Sequence, residues 1–368
     1  MSPTNRIAAT ALGPGLGLAL CAVLAAPAAA QTVHVPGIDS LQVKANVQAQ
    51  FNTTSVDADG DGDAIPSSLW EVRRARIYLR AFARGWLRGD VEGDFARGRV
   101  RLTDGFVRLA PSEAFRLRAG QFKKPFDALE LISSREQLLI ERDGSPRGLS
   151  APTPNGLVNA LGYANRDIGV EYEGVFDALT VSAGVFNGAG ANVAENDDGK
   201  QLAARVAVKL PPGWQLAGAW TGRRVSEPPD ADAAAWYQAA ELALTAGTYG
   251  EPGLQVLAQA FLGDNFDPDE GGAGESSGAE ARFTALQALI GYHVATFHTP
   301  WMIGWEPVAR VGWADPSNET EDDAALVWTA GVNLYHDTYV KTQVQLDGVS
   351  PSEGDSEFAF RIQAGFGF

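Results

Sequence analysis

Arginine and lysine crowd one stretch of this sequence. Seventeen of its 29 Lys and Arg residues lie between Arg73 and Arg147, in a chain whose formal net charge is −16. A basic island in an acidic chain marks an anion path, a partner surface or simply a solvated charged face. Arginine suits the first of these chemically. Its planar guanidinium donates paired hydrogen bonds to oxyanions and keeps its charge at ordinary pH. The spacing adds a second clue. Arg74 and Arg76, Arg99 and Arg101, and Arg116 and Arg118 recur two residues apart, with Arg80, Arg88 and Arg108 between them. Two is the side-chain period of a β-strand.

The elements that carry these residues follow the same period. From Leu41 to Phe51, Leu41, Val43, Ala45, Val47, Ala49 and Phe51 alternate with Gln42, Lys44, Asn46, Gln48 and Gln50. That is a strand with one apolar and one polar face. The pattern predicts sixteen strands, near 41–51, 70–83, 85–95, 99–109, 114–122, 167–174, 178–186, 200–210, 213–223, 235–246, 253–262, 281–292, 301–313, 325–335, 339–347 and 358–368. Several reach the roughly ten residues that a tilted membrane strand needs. Connections after even-numbered strands are mostly short, and those after odd-numbered strands are mostly long, the link after the third excepted. Short turns on one side and long loops on the other characterise an outer-membrane barrel, and a soluble sandwich gives no reason for that parity.

The chain carries the other marks of such a barrel. Residues 1–30 read as a secretory signal, with Arg6, an apolar run and Ala28–Ala30 ahead of Gln31, leaving 31–368 as one barrel domain. The lone cysteine, Cys21, lies in that leader, so the remainder has neither disulfide nor thiolate metal site. Most of the nine tryptophans fall near strand ends, where aromatic girdles meet the membrane interfaces. The last strand puts Phe358, Phe360, Ile362, Ala364, Phe366 and Phe368 on one face.

Parity then orients the arginines. Arg74, Arg76, Tyr78 and Arg80 oppose Ala75, Ile77, Leu79 and Ala81. Arg88, Asp90, Glu92 and Asp94 oppose Leu87 and Val91. Arg99 and Arg101 oppose Val100 and Leu102. A one-residue slip near Asp104, a bulge, then sets Arg108 opposite Val107 and Leu109, and Arg116 and Arg118 oppose Phe115, Leu117 and Ala119. An arginine facing lipid at mid-bilayer costs about 2–4 kcal/mol, so nine on one wall must face the lumen. Two readings of that wall stay open: a ladder that attracts and releases anions, or cross-strand Arg–carboxylate pairs that stiffen the sheet.

The sequence resembles the phosphate-selective porin O and P family of Gram-negative bacteria. The resemblance rests on GQFKKPF (120–126), SSREQLLIERD (133–143), NRDIGVEYEG (165–174), GVFNG (184–188), NDDGKQLAARVAVKLP (196–211) and GVNLYHDTYVKTQVQL (331–346). It implies an all-β, sixteen-stranded transmembrane antiparallel barrel in the outer membrane, a homotrimer set in lipid and lipopolysaccharide. It also implies a third external loop folded inward, here the long connection 123–166; the helical spacing of 129–142, free of Gly and Pro, suits a short helix or an extended segment. By the same resemblance Arg74, Arg76, Arg80, Arg99, Arg101, Arg116 and Arg118 form the ladder, to which strand parity adds Arg88 and Arg108, and Lys123 and Lys124 sit at the constriction. The expected activity is passive diffusion of small anions such as phosphate or polyphosphate, without cofactor, metal or nucleic acid. A cation-leaning diffusion porin is the first rival; a barrel enzyme or structural barrel is the second.

Other signals are weaker. Asp57–Asp63 resembles the start of a calcium loop, but the twelfth position is Ser68 where a bidentate Glu is needed. His293 and His298 lack metal-ligand spacing, and no Ser/His/Asp set stands in an interpretable context.

Overall fold

The computed structural model describes residues 32–33, 37–56, 65–142, 152–194, 199–225, 235–266, 281–299 and 301–368. Residues 1–30, expected to be a leader, and the acidic segment 57–63 lie outside them, as does the side chain of His298. The barrel strands are β1 (Ser40–Val56), β2 (Ile65–Ala83), β3 (Leu87–Asp94), β4 (Arg101–Ser112), β5 (Phe115–Lys123), β6 (Arg166–Phe176), β7 (Leu179–Phe186) and β8 (Gln201–Leu210). They continue as β9 (Trp214–Val225), β10 (Ala235–Ala246), β11 (Gly253–Asp264), β12 (Arg282–Thr299), β13 (Met302–Asp315), β14 (Ala325–Tyr335), β15 (Val340–Pro351) and β16 (Glu357–Gly367). A two-residue bridge, Thr32–Val33, pairs beside Leu41 and Gln42.

Every strand pairs antiparallel with its sequence neighbours, and β16 pairs with β1 from Phe358↔Ser55 to Gly367↔Asn46. Phe368 and Ala45 complete the seam by exchanging both backbone hydrogen bonds. The sheet is therefore a closed sixteen-stranded meander, and closure leaves no edge unpaired, which a membrane requires because lipid offers no hydrogen-bond partner. The faces follow the sequence alternation. Val47, Ile77, Leu79, Val91, Val107, Ile168, Leu242, Leu262, Leu286, Ile290 and Val311 are exposed on the outer wall, whereas Asn46, Gln48, Gln50 and Asn52 of β1 are buried on the inner one.

Two bulges set the register of the basic wall. Gln48 pairs with Arg74 but Ala49 with Val72, so Arg73 is the extra residue. Glu92 pairs with Asp104 but Gly93 with Leu102, so Thr103 is extra, and its hydroxyl donates to Glu92 O at 2.9 Å. The second is the slip that the sequence called for near Asp104. Gly120 is indispensable at its position: φ is +134°, and a Cβ there would collide with the Gly105 carbonyl of the neighbouring strand.

The segment between β5 and β6 runs over the inward faces of the far strands. Asp127 opens α1 (Ala128–Leu131), accepting from Leu129 N and Glu130 N, and Thr153 caps α2 (Pro154–Ala160). Helix ends at Leu131 rather than continuing to Arg142. The backbone beyond it bonds to the wall instead: Ser134 O accepts from Gln48, Leu138 O from Asn333 and Gln343, and Ile140 N donates to Gln345 at 2.8 Å. Those bonds satisfy groups that a helix would otherwise have to pair internally. Leu129 and Leu139 pack on Ala243, Leu257, Leu289 and Val308, and Phe126, Leu157, Val158, Leu161 and Tyr163 pack on Tyr237, Phe261 and Phe283. The segment thus builds an apolar core against β10–β13, inside the barrel.

Candidate functional site

With the β10–β13 side of the lumen packed, the basic wall of β2–β6 faces what remains. Between that wall and the loop lies a recess of about 290 Å³. Lys44, Arg76, Arg80, Arg118, Lys123 and Arg166 line it, with Asp90, Glu92 and Asp104 as its acids and Leu131, Ser133 and Ser134 contributed by the loop. The lining side chains of this eyelet alone carry a formal charge of +3, six bases against three acids, and Asp94, Glu171 and Glu130 pair with Arg76, Arg118 and Lys123 from behind at 2.8, 2.7 and 3.4 Å.

The ladder arginines are mostly paired. Arg74 stands 3.6 Å from Glu141 and donates to Gln48 at 2.7 Å. Arg76 meets Glu92 and Asp94 at 3.1 and 2.8 Å. Asp90 takes Arg80 at 2.7 Å and Arg88 at 2.5 Å. Glu173 takes Arg108 at 2.7 Å and Arg116 at 2.8 Å, Arg116 also pairs with Glu113, and Arg118 meets Glu171 at 2.7 Å. Cross-strand pairing is therefore real here, but it is not one-to-one. Asp90 and Glu173 each serve two guanidiniums, whereas Arg76 and Arg116 each meet two carboxylates, so the seven paired arginines face seven carboxylates and the positive excess of the ladder is Arg99 and Arg101. Arg99 and Arg101 differ from the rest. Arg99 precedes β4 instead of lying in it, both are exposed, and neither has an ion pair among the described residues.

The register brings three of the ladder residues side by side. Arg88 lies opposite Arg108, and Arg108 opposite Arg118, on β3, β4 and β5. Like charges directly opposite destabilise a sheet pair, so this row stands against the local stability of the wall. Aromatic faces support it. Phe106 lies 5.6 Å from the Arg88 guanidinium and 5.9 Å from that of Arg118, which also caps Phe122 at 4.1 Å. Such contacts contribute about 0.5–2 kcal/mol each.

The two lysines part company. Lys123 lines the eyelet, its ammonium bonded to Glu130 O and Ile132 O. Lys124 is turned away from the eyelet, and its expected place at the constriction is corrected accordingly. Its side chain is 2% exposed, and Nζ donates at 2.7 Å to Gly162 O and to Gln201 Oε1. Burial lowers its ammonium to about 7. Lys124 is a strut between the loop and β8.

Three residues at the site escaped the alternation argument. Arg73, the bulge residue, donates to both oxygens of Glu141 at 2.5 and 2.8 Å and so ties the loop to the basic wall. Burial would raise the Glu141 carboxyl, but Arg73 and Arg74 overcome it and hold the group at about 2. Arg166, at the start of β6, meets Asp104 at 2.7 Å. Asp127 anchors the loop's other end, where Glu241 accepts from Asp127 N and Ala128 N and Gln259 donates to Asp127. Burial, and then the Glu241 charge, push the Asp127 carboxyl up to about 7. The adjacent Arg73 and Arg74 were the available signal, because two arginines in succession break a period of two.

Comparison with known proteins agrees with the resemblance read from the sequence. Residues 41–219 match the family model described as phosphate-selective porin O and P. No curated protein matches the chain. Among solved structures, an anion-selective porin from Comamonas acidovorans is 13% identical, with 89% of this chain and 100% of that chain covered and a TM-score of 0.64. The outer membrane channel DcaP of Acinetobacter baumannii is 11% identical over 89% of this chain and 97% of its own, at 0.60. The trimer form of OmpT from Vibrio cholerae is 11% identical over 89% and 99%, also at 0.60. At these identities the likeness is one of fold.

Proposed function

We propose that this chain, an outer-membrane porin with the phosphate-selective O and P signature over residues 41–219, is a passive channel for small anions, phosphate among them, working as a homotrimer. The observation that carries the reading is the row Arg88–Arg108–Arg118, three guanidiniums abreast on the inward face, two of which share their carboxylate, Arg88 its Asp90 with Arg80 and Arg108 its Glu173 with Arg116. An anion entering the eyelet meets a net positive lining and several forked donors in succession. Each donor already has a carboxylate nearby, so each site holds an anion weakly enough to release it, as conduction requires. Phosphate fits the forked geometry of guanidinium, which donates two parallel hydrogen bonds. The ladder named from the sequence, with Lys123 and Arg166 added, is the proposed path, and Arg99 and Arg101 form its exposed entrance.

The test is the zero-current potential of the reconstituted protein under a potassium chloride gradient, repeated with added phosphate. Anion selectivity with block by phosphate is the expected result. Cation selectivity would overturn the proposal in favour of a porin whose acids dominate, and turnover of a substrate lost on one point substitution without change in conductance would favour a barrel enzyme.

A further inference from the structure

A second recess, of about 380 Å³, lies on the other side of the loop from the eyelet. Leu129, Leu131, Ile132 and Leu138 of the loop and Leu257 and Leu289 of the wall give it an apolar lining. Its volume falls in the range of small-molecule pockets, about 300–1,000 Å³. Leu257 and Leu289 lie on the inward faces of β11 and β12, in strand register with the buried Gln255, Gln259 and Gln287, and belong to the apolar core that the loop builds there. Charges are sparse around it: Arg205, held by Glu241 at 3.0 Å, and Glu136, exposed at the loop surface. Leu131 lines both this recess and the eyelet. The two are therefore neighbours across one side chain, a site with a lining charge of +3 on one side of it and an apolar site on the other.

From that juxtaposition we infer that the channel binds organic carboxylates with an apolar tail, the carboxylate in the eyelet among Arg80, Arg118 and Lys123 and the tail past Leu131 in the leucine-lined recess. This inference rests on the anion-channel reading and narrows its substrate class. The charge complementarity decides the polarity of the occupant: the excess positive charge takes the anionic end, and removing apolar surface from water drives the other end into the recess. An inorganic oxyanion fills only the first half of this site, and a neutral apolar compound only the second.

Block of the chloride current through the intact protein in planar bilayers tests this, with 4-phenylbutyrate, acetate and 4-phenyl-1-butanol compared at equal ionic strength. 4-Phenylbutyrate is expected to half-block at a concentration at least about tenfold below either of the others, given the apolar area that only it can bury together with a charge. Leu138→Asn, a substitution at a partly buried loop position that lines the recess and not the eyelet, is expected to reduce that preference to less than about threefold while leaving chloride selectivity unchanged. Leu289→Asn is expected to do the same from the wall. Equal half-blocking concentrations for 4-phenylbutyrate and acetate overturn the inference alone. Equal block by the alcohol overturns the joint site, because the recess then acts without the eyelet. Cation selectivity in plain chloride overturns the anion reading, and this inference with it.

Discussion

Arg80→Glu isolates the electrostatics of the eyelet with little structural damage. Arg80 keeps a third of its side-chain surface exposed, and its partner Asp90 retains Arg88 at 2.5 Å once Arg80 is gone. The substitution takes the formal charge of the eyelet lining from +3 to +1. At 4 Å a unit charge acts on a passing anion with about 1 kcal/mol in water and about 4 kcal/mol where the effective dielectric constant is 20. A change of two charges in a wet lumen therefore costs an anion about 2 kcal/mol at the lower end, or roughly thirtyfold in occupancy. Salt screens this little over so short a range, since the Debye length is about 10 Å at 0.1 M. The assay is the zero-current potential in a tenfold potassium chloride gradient, from which the chloride-to-potassium permeability ratio is expected to fall by at least that factor, because the same change of charge favours potassium. Arg84→Glu provides the control, because Arg84 is exposed in the short turn after β2 and lies outside the eyelet lining; its effect is expected to stay below about twofold. Equal shifts from the two substitutions would refute the reasoning, since permeating ions would then be sensing the charge of the whole chain and not that of the eyelet.

Further substitutions separate the roles within the site. Lys123→Met is expected to lower anion selectivity, whereas Lys124→Met leaves selectivity unchanged and acts on thermal stability, because Gly162 O and Gln201 lose their donor; a permeability ratio measured beside a melting curve distinguishes them. Glu141→Gln removes the tie between loop and wall, at a cost of about 3 kcal/mol for breaking a buried ion pair, and single-channel traces are expected to become larger and noisier. The pH dependence of the loop's anchorage has two components of opposite sign. Glu141 is depressed from 4.5 to about 2, so its contribution is present above 4.5 and is lost as pH falls through about 2. Asp127 is raised from 3.8 to about 7, so its contribution is present below 3.8 and is lost as pH rises through about 7. Melting curves recorded against pH are thus expected to lose their acid limb in Glu141→Gln and their decline between about pH 4 and 7 in Asp127→Asn; an unchanged profile in either variant removes that residue from the account.

Period-two alternation carried much of this protein on its own. It fixes which side chains face lipid and which face the lumen, because successive residues of a strand point to opposite sides and an arginine in hydrocarbon is too costly to keep. It gave the sixteen strands, the inward placement of Arg76, Arg80, Arg88, Arg108, Arg116 and Arg118, and the slip near Asp104. It could not assign partners, because pairing depends on register between strands: that Asp90 serves Arg80 and Arg88, or that Arg88, Arg108 and Arg118 stand abreast, follows from how the strands are staggered around the barrel. The inside of the lumen was less legible still. Nothing local to residues 124–142 says that Lys123 reaches the eyelet while Lys124, the next residue, is buried against Gln201, or that the backbone after Leu131 bonds to Gln48, Asn333, Gln343 and Gln345 in place of itself. Those outcomes belong to long-range contacts, with partners up to 206 residues away in the chain. Tertiary structure alone decided that one side of the lumen is packed with leucine and phenylalanine and the other lined with arginine, because a loop this long satisfies its apolar and polar groups only against a wall already built for them.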